Sequence, residues 1–294
     1  MGMHNTREGV CHKRSVIVVD SYAGGISMGR LADGEDPHML TLQAVDRSES
    51  LGLRSHYYLG KDDPVLELER NLSRLSRRGE LRRATVIFGN TTDPFHPFDE
   101  KFATSMKFLQ LFERFVPGRL VIQTRSPLIV IGVPALKRVR KNTFISMAIE
   151  TDCDEVAKHY VPDSPLVSER LKAIRTLRHF GMRVGVQVAP LLPYGDWRRD
   201  ADKFAELLSE NAEFLCIRSL AQLAGGRRPK GHVAEKLAAE RRFHWLRPDA
   251  HEPLIQAIRK RCPEKLVHPV EYEFVEPQLG LFGNLEGSMT LATQ

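Results

Sequence analysis

Apolar and polar positions along the chain alternate between two periods. Short, nearly continuous apolar runs read as buried strands: "SVIVVD" (15–20), "RATVIFGN" (83–90), "RLVIQT" (119–124), "NTFISMAIE" (142–150), "MRVGVQVAPLLP" (182–193) and "EFLCIRSL" (213–220). Between them lie segments whose apolar residues recur at helical spacing. "DPVLELERNLSRLSR", "FDEKFATSMKFLQLFERFV", "SPLIVIGVPALKRVR", "SPLVSERLKAIRTLRHFG" and "WRRDADKFAELLSENA" are the clearest. In the second of these, Phe102, Met106, Leu109 and Phe112 share a side, and Gly118 is expected to end it. "RSHYYLG" (54–60) is a further candidate strand.

Continuous apolar strands alternating with amphipathic helices predict a parallel sheet covered by helices. The number of units fits a full or partial (β/α) barrel, with an open doubly wound sheet as the alternative. The expected division is an N-terminal extension (1–14), a barrel (15–262) and an irregular C-terminal tail (263–294). Neither a G-x-G-x-x-G fingerprint nor a P-loop occurs.

Composition changes this picture little. The 294 residues are 42% hydrophobic and 27% charged, as in globular proteins. No apolar run reaches the ~20 residues that span a bilayer, and "MGMHNTREGVCHKR" has no apolar signal core. A cytoplasmic, membrane-free protein is expected. The net charge of +6 is compatible with nucleic acid without requiring it. Cys11, Cys153, Cys216 and Cys262 have no zinc-site or disulfide-framework spacing and read as small hydrophobes.

In a parallel barrel the ligand sits at the C-terminal strand ends. Those ends read "DSYAGG", "GNTTDPFHP", "QTRSP", "SMAIETD", "APLLPYGD" and "IRSL". They supply Arg125 and several carboxylates, a set suited to a small zwitterionic or anionic ligand. In "TDPFHPFDE", His96, Asp99 and Glu100 read as a turn and first helical turn. Asp93, just after a strand, reads as functional.

Three segments, in this order, resemble radical S-adenosylmethionine (radical SAM) proteins of the spore photoproduct lyase type. "IFGNTTDPFHPFDEKF" is similar to that family's TDPYQPxE segment. "LVIQTRSPLIV" is similar to its TKS strand end, and "SERLKAIRTLRHFGMRVGVQVAPLLPYGD" to its helix–strand unit with APIIPGLND. The resemblance runs from about Val16 to Asp196. It implies a partial (β/α)6 barrel, S-adenosylmethionine across the strand ends, and a 4Fe–4S cluster that cleaves it to a 5′-deoxyadenosyl radical in a lyase acting on DNA. It places Thr92 and Asp93 at the methionine end of the cofactor. Arg125 and Ser126 fall near its carboxylate, Ser146 and Glu150 near the ribose, and Val188, Ala189 and Pro190 beside the adenine.

The family follows its first strand with NPYxGCxxxCxYC, whose three thiolates bind three irons and leave the fourth open. Here "DSYAGGISMGRLA" stands in that place. Asp20, Ser21 and Tyr22 match Asn-Pro-Tyr, and the three cysteine positions fall on Gly25, Gly29 and Ala32. His12, Asp33, Glu35 and His38 do not have cluster spacing and read as loop residues. The expectation is a radical SAM frame without its cluster ligands. The alternative is a non-catalytic descendant that still binds S-adenosylmethionine or nucleic acid. An unrelated (β/α) barrel enzyme is a third option.

Two further stretches suggest partners. "GGRRPKGHVAEK" (225–236), followed by Arg241, Arg242, His244, Trp245 and Arg247, could meet phosphates and a base, or be a solvated loop and helix end. Gln278, Leu279, Leu281 and Phe282 in "EPQLGLFGNL" resemble the peptide that docks on bacterial sliding clamps; the other reading packs them back on the barrel.

Overall fold

The computed structural model describes residues 15–19, 26–31, 63–89, 92–97, 99–225, 227–267 and 272–274. Its strands are β1 (Ser15–Val19), β2 (Ile26–Leu31), β3 (Thr85–Phe88), β4 (Arg119–Thr124), β5 (Thr143–Ala148), β6 (Arg183–Val188), β7 (Phe214–Ile217) and β8 (Tyr272–Phe274). They form one open sheet in the order β7-β6-β5-β4-β3-β1-β2-β8. From β1 to β7 every pairing except that with β2 is parallel and follows chain order, which is the pattern of a partial (β/α)6 barrel.

The helices are α1 (Pro64–Arg77), α2 (Asp99–Arg114), α3 (Val133–Val139), α4 (Asp154–Tyr160), α5 (Val167–His179), α6 (Ala201–Asn211), α7 (Leu220–Leu223), α8 (His232–Ala239) and α9 (Glu252–Arg261). Local chemistry starts them. Asp63 caps α1 by accepting from Val65 N at 2.9 Å, with Pro64 in the first turn, where its missing N–H costs nothing. Leu68, Leu72 and Leu75 then form the buried stripe of α1.

Successive residues of each strand face opposite sides. On the helix side, Ile17, Val86, Phe88, Ile122, Ile145, Val186 and Leu215 join one continuous core with the helices. Phe88 is its centre near β3, with the rings of Phe95, Phe108 and Phe112 at 5.6–6.2 Å. Each fully buried aromatic of this kind contributes roughly 1.5–3 kcal/mol of transfer free energy. On the other side a small apolar floor of Val16, Ile87, Val121 and Phe144 carries Phe214 against it.

Three details differ from the sequence reading. The segment after β1 contains a strand: β2 runs antiparallel to β1, with Ile26 opposite Val19 and Gly29 opposite Val16. Within the C-terminal tail, β8 pairs with β2, and Leu266 bridges to Leu215 at the far edge of the sheet. Helix α2 ends at Arg114, and Gly118 has another reason to be glycine: a Cβ there would stand 2.4 Å from Arg82 O. The candidate strand 54–60 lies outside the described residues. Among the described residues no helix is long and apolar enough to cross a membrane.

Candidate functional site

The ends of β3, β4, β5 and β6 are tied together by short loops. Gly89 ends β3 with φ +96°, and a Cβ there would sit 2.1 Å from Gln123 O. Only glycine lets the two strand ends approach so closely. The chain then reaches Asp93, whose carboxylate links three groups. Oδ1 accepts from Phe95 N (3.0 Å) and Thr124 Oγ1 (2.7 Å), and Oδ2 accepts from Arg125 N (2.6 Å). Thr124 Oγ1 in turn accepts from Ser126 N at 2.8 Å. The Ser126 hydroxyl accepts from Leu128 N at 3.3 Å and caps the 3-10 turn Pro127–Gly132. Asp93 and Ser126 therefore shape the end of β4, with half-buried Thr92 beside Asp93.

That shaping aims Arg125. Its Nε donates to Glu150 Oε1 at 2.7 Å, while Arg170 Nη1 donates to Glu150 Oε2 and to Ala148 O, both at 2.6 Å. The side chain of Glu150 is 1% exposed, that of Arg170 0% and that of Arg125 20%. Burial by itself would push the Glu150 carboxyl up. Arg170, and after it Arg125, overrule that and hold it down at about 2. Both carboxylate oxygens of Glu150 thus accept from guanidinium groups, and Glu150 orients Arg125. The two terminal nitrogens of Arg125 carry no hydrogen bond among the described residues, and the guanidinium is partly exposed at the strand ends.

The remaining strand-end positions continue this rim. Val188 O accepts from Arg218 N, and Leu191 N donates to Arg218 O, both at 2.9 Å. Leu192 N donates to Glu150 O at 2.9 Å, so the segment Val188–Ala189–Pro190, with its cis Ala189–Pro190 bond, is laced to the ends of β5 and β7. Ser146 lies lower, on β5 between Gln123 and Gly185 in register. It is 5% exposed, and its Oγ has no hydrogen-bond partner among the described residues. Gln123 and Gln187 are buried in the same sheet at 1% and 2% exposure. Asp152, past β5, is half-buried, and burial raises its carboxyl.

The structure thus brings together Asp93, Arg125, Ser126 and Glu150. It adds Arg170, which the sequence reading missed. The signal was present: Val167, Arg170, Leu171 and Ile174 occupy one helical stripe, so an arginine stood on the buried face of α5. Tyr22, Gly25 and Ala32 lie outside the described residues, as do Gln278, Leu279, Leu281 and Phe282. Trp245, whose two readings are contact with a base or a place at a helix end over the barrel, is 2% exposed and meets the ring of Tyr194 edge-on at 5.1 Å. Arg242 and Arg247 beside it pair with Glu240 and Asp249.

A 4Fe–4S cluster does not fit these residues. Gly29 has no ligand atom, and its pairing with Val16 places it toward the start of β1, away from Arg125 and Glu150. Among the described residues no group of three His, Cys, Asp or Glu could hold a metal ion. Cys216 is buried, and that burial pushes its thiol up to about 12, the opposite of a thiolate ligand.

No family model matches the chain. An uncharacterized protein of Acidianus two-tailed virus, ORF301, is 30% identical over 125 residues, covering 42% of this chain and 40% of that protein. The chain thus spans less than half of that relative's length. Among solved structures, a spore photoproduct lyase variant is similar with a TM-score of 0.49 and 14% identity, covering 71% of this chain and 70% of that one. Another variant, with bound AdoMet and dinucleoside spore photoproduct, gives 0.45 and 15% over 71% and 66%. The radical S-adenosylmethionine methyltransferase TsrM from Kitasatospora setae gives 0.44 and 14% over 70% and 48%. These are likenesses of fold.

Proposed function

We propose that this partial barrel binds S-adenosylmethionine, or a closely related adenosyl amino acid, at its strand ends and does not cleave it reductively. The observation that carries the reading is the Arg125 fork. It is locked at Nε by a fully buried carboxylate that is itself held ionised by a second arginine, and its terminal nitrogens are left for a ligand. A guanidinium fixed in this way matches a carboxylate in two-point geometry. Ser146, buried and with a hydroxyl that is unpartnered among the described residues, gives a polar point lower in the same sheet. The resemblance of "TDPF", "TRS" and "VAPLLP" to the radical SAM motifs supplies the identity of the ligand. In that family the cofactor contributes a radical when bound to a cluster. The residues of this chain bind and orient the ligand; no step is assigned to a cluster.

Calorimetric titration with S-adenosylmethionine tests this. Saturable binding is expected, weakened at least about tenfold by Arg125→Ala, which removes a charge-assisted contact worth ~1.5–3 kcal/mol. Absence of binding to the unaltered chain overturns the reading. The strand-end motifs also favour a second reading, an active lyase of the spore photoproduct lyase type acting on nucleic acid. Iron and 5′-deoxyadenosine after anaerobic reconstitution separate the two. The binding reading expects neither above background in the chain as it stands. A normal yield of 5′-deoxyadenosine would establish the lyase reading instead.

A further inference from the structure

Because the sheet is parallel, the C-terminal ends of its crossover helices and the N-terminal ends of its strands share one pole, opposite the site described above. That pole is rich in arginine. Arg77 and Arg78 close α1, Arg82 and Arg83 form the 3-10 turn before β3, and Arg140 and Lys141 follow α3 before β5. All six are exposed, and none pairs with a carboxylate among the described residues. The turns that carry them are joined. Gly118 N donates to Leu81 O (2.9 Å), Arg119 N to Ala84 O (3.1 Å), and Leu120 N to Asn142 O (2.7 Å). Asn142 Nδ2 also donates to Pro117 O (3.1 Å) and Gly118 O (2.9 Å). The six cations therefore ride on one continuous floor. Beside it, Arg70, Arg74, Arg77 and Arg78 lie along one face of α1 together with Glu67 and Asn71.

Two neutralising influences stand nearby. Arg114 and Arg138 at the same pole are already paired, with Glu69 and Glu113. Glu80 lies between the two arginine pairs and is half-buried. The helix dipole accounts for cations in a last turn, at a few tenths of a kcal/mol each. It does not account for Arg82 and Arg83, on the short 3-10 turn before β3, or for Lys141, past the cap of α3.

We propose that this pole binds the phosphate backbone of duplex nucleic acid. Five of the six cations are arginines, whose planar forks suit phosphate oxygens. A membrane surface would call for an apolar insertion face. Of the exposed large apolar side chains among the described residues, Val116 stands at this pole. The surface is separate from the strand-end site and does not depend on what that site binds.

The test is fluorescence anisotropy with a labelled DNA duplex of about 20 base pairs, titrated over a potassium chloride series, because each phosphate contact contributes roughly −0.9 to the slope of log K against log salt. The fourfold variant Arg77→Gln, Arg78→Gln, Arg82→Gln, Arg83→Gln should bind at least tenfold more weakly at about 0.1 M salt, with a slope shallower by about 3. Should it unfold, Arg140→Gln with Lys141→Gln, in a different turn, should reduce the slope by about 1–2. A variant at the other pole, Arg227→Gln, Arg228→Gln and Lys230→Gln, should leave the slope unchanged. The proposal fails if the polar variants bind like the unaltered chain, or if only the Arg227–Lys230 variant changes the slope. It also fails if the protein ignores DNA and sediments with anionic phosphatidylserine vesicles.

Discussion

Glu150 is the residue on which the strand-end site turns, because it is buried, ionised and shared by two guanidinium groups. Removing its charge would leave Arg170 buried without compensation. Glu150→Gln should therefore cost about 3–5 kcal/mol in a urea denaturation series, while Glu150→Gln combined with Arg170→Met should recover much of that loss. The same pair sets an acid limb. The folded carboxyl sits at about 2 against an ordinary value of 4.5. Its contribution, on the order of 3 kcal/mol, is complete above about pH 4.5 and is lost as pH falls toward 2. Stability measured across that window should fall less steeply in Glu150→Gln than in the unaltered chain. The sequence placed Arg125 and Glu150 at neighbouring strand ends because both follow apolar runs. It concealed their bond, since which carboxylate meets which guanidinium depends on side-chain reach across β4 and β5, and on Arg170 arriving from α5.

At the scale of elements, the strands that were legible are those buried on both faces. "SVIVV" and "TVIF" are nearly all apolar whichever way a residue points, and "LVIQT" and "RVGVQV" keep an apolar face of Leu, Val and Ile, so little periodicity had to be resolved. β2 and β8 escaped for the converse reason. "ISMGRL" and "YEF" mix apolar, charged and glycine positions, as antiparallel strands at a sheet margin can. Gly118 illustrates a different failure: a glycine after a helix suggests a cap, yet here its position is dictated by the backbone of the 3-10 turn beside it. Gly89 is the more consequential case. Gly89→Ala would combine a positive φ with a Cβ pressed against Gln123 O. A loss of at least about 2 kcal/mol in thermal unfolding is expected. Weaker binding of S-adenosylmethionine should accompany it, because the ends of β3 and β4 separate together with the Asp93 latch.

For the whole molecule, the sheet has two unlike margins. At one, Leu266 lies beyond β7; at the other, β8 lies beyond β2. Laid flat, eight strand spacings of ~4.8 Å would part them by ~38 Å. Tyr272 is six residue steps beyond Leu266, and a fully stretched chain of that length reaches only ~22 Å. The sheet must therefore bend until its margins come within that reach. The contour length of the connection between Leu266 and Tyr272 is thus a string that limits how far the sheet face bearing Gln123, Ser146 and Gln187 can flatten. Lengthening that string by about ten Gly-Ser residues between Val267 and Tyr272 should enlarge the radius of gyration seen by X-ray scattering and weaken ligand binding, while leaving the parallel core and its unfolding midpoint nearly unchanged.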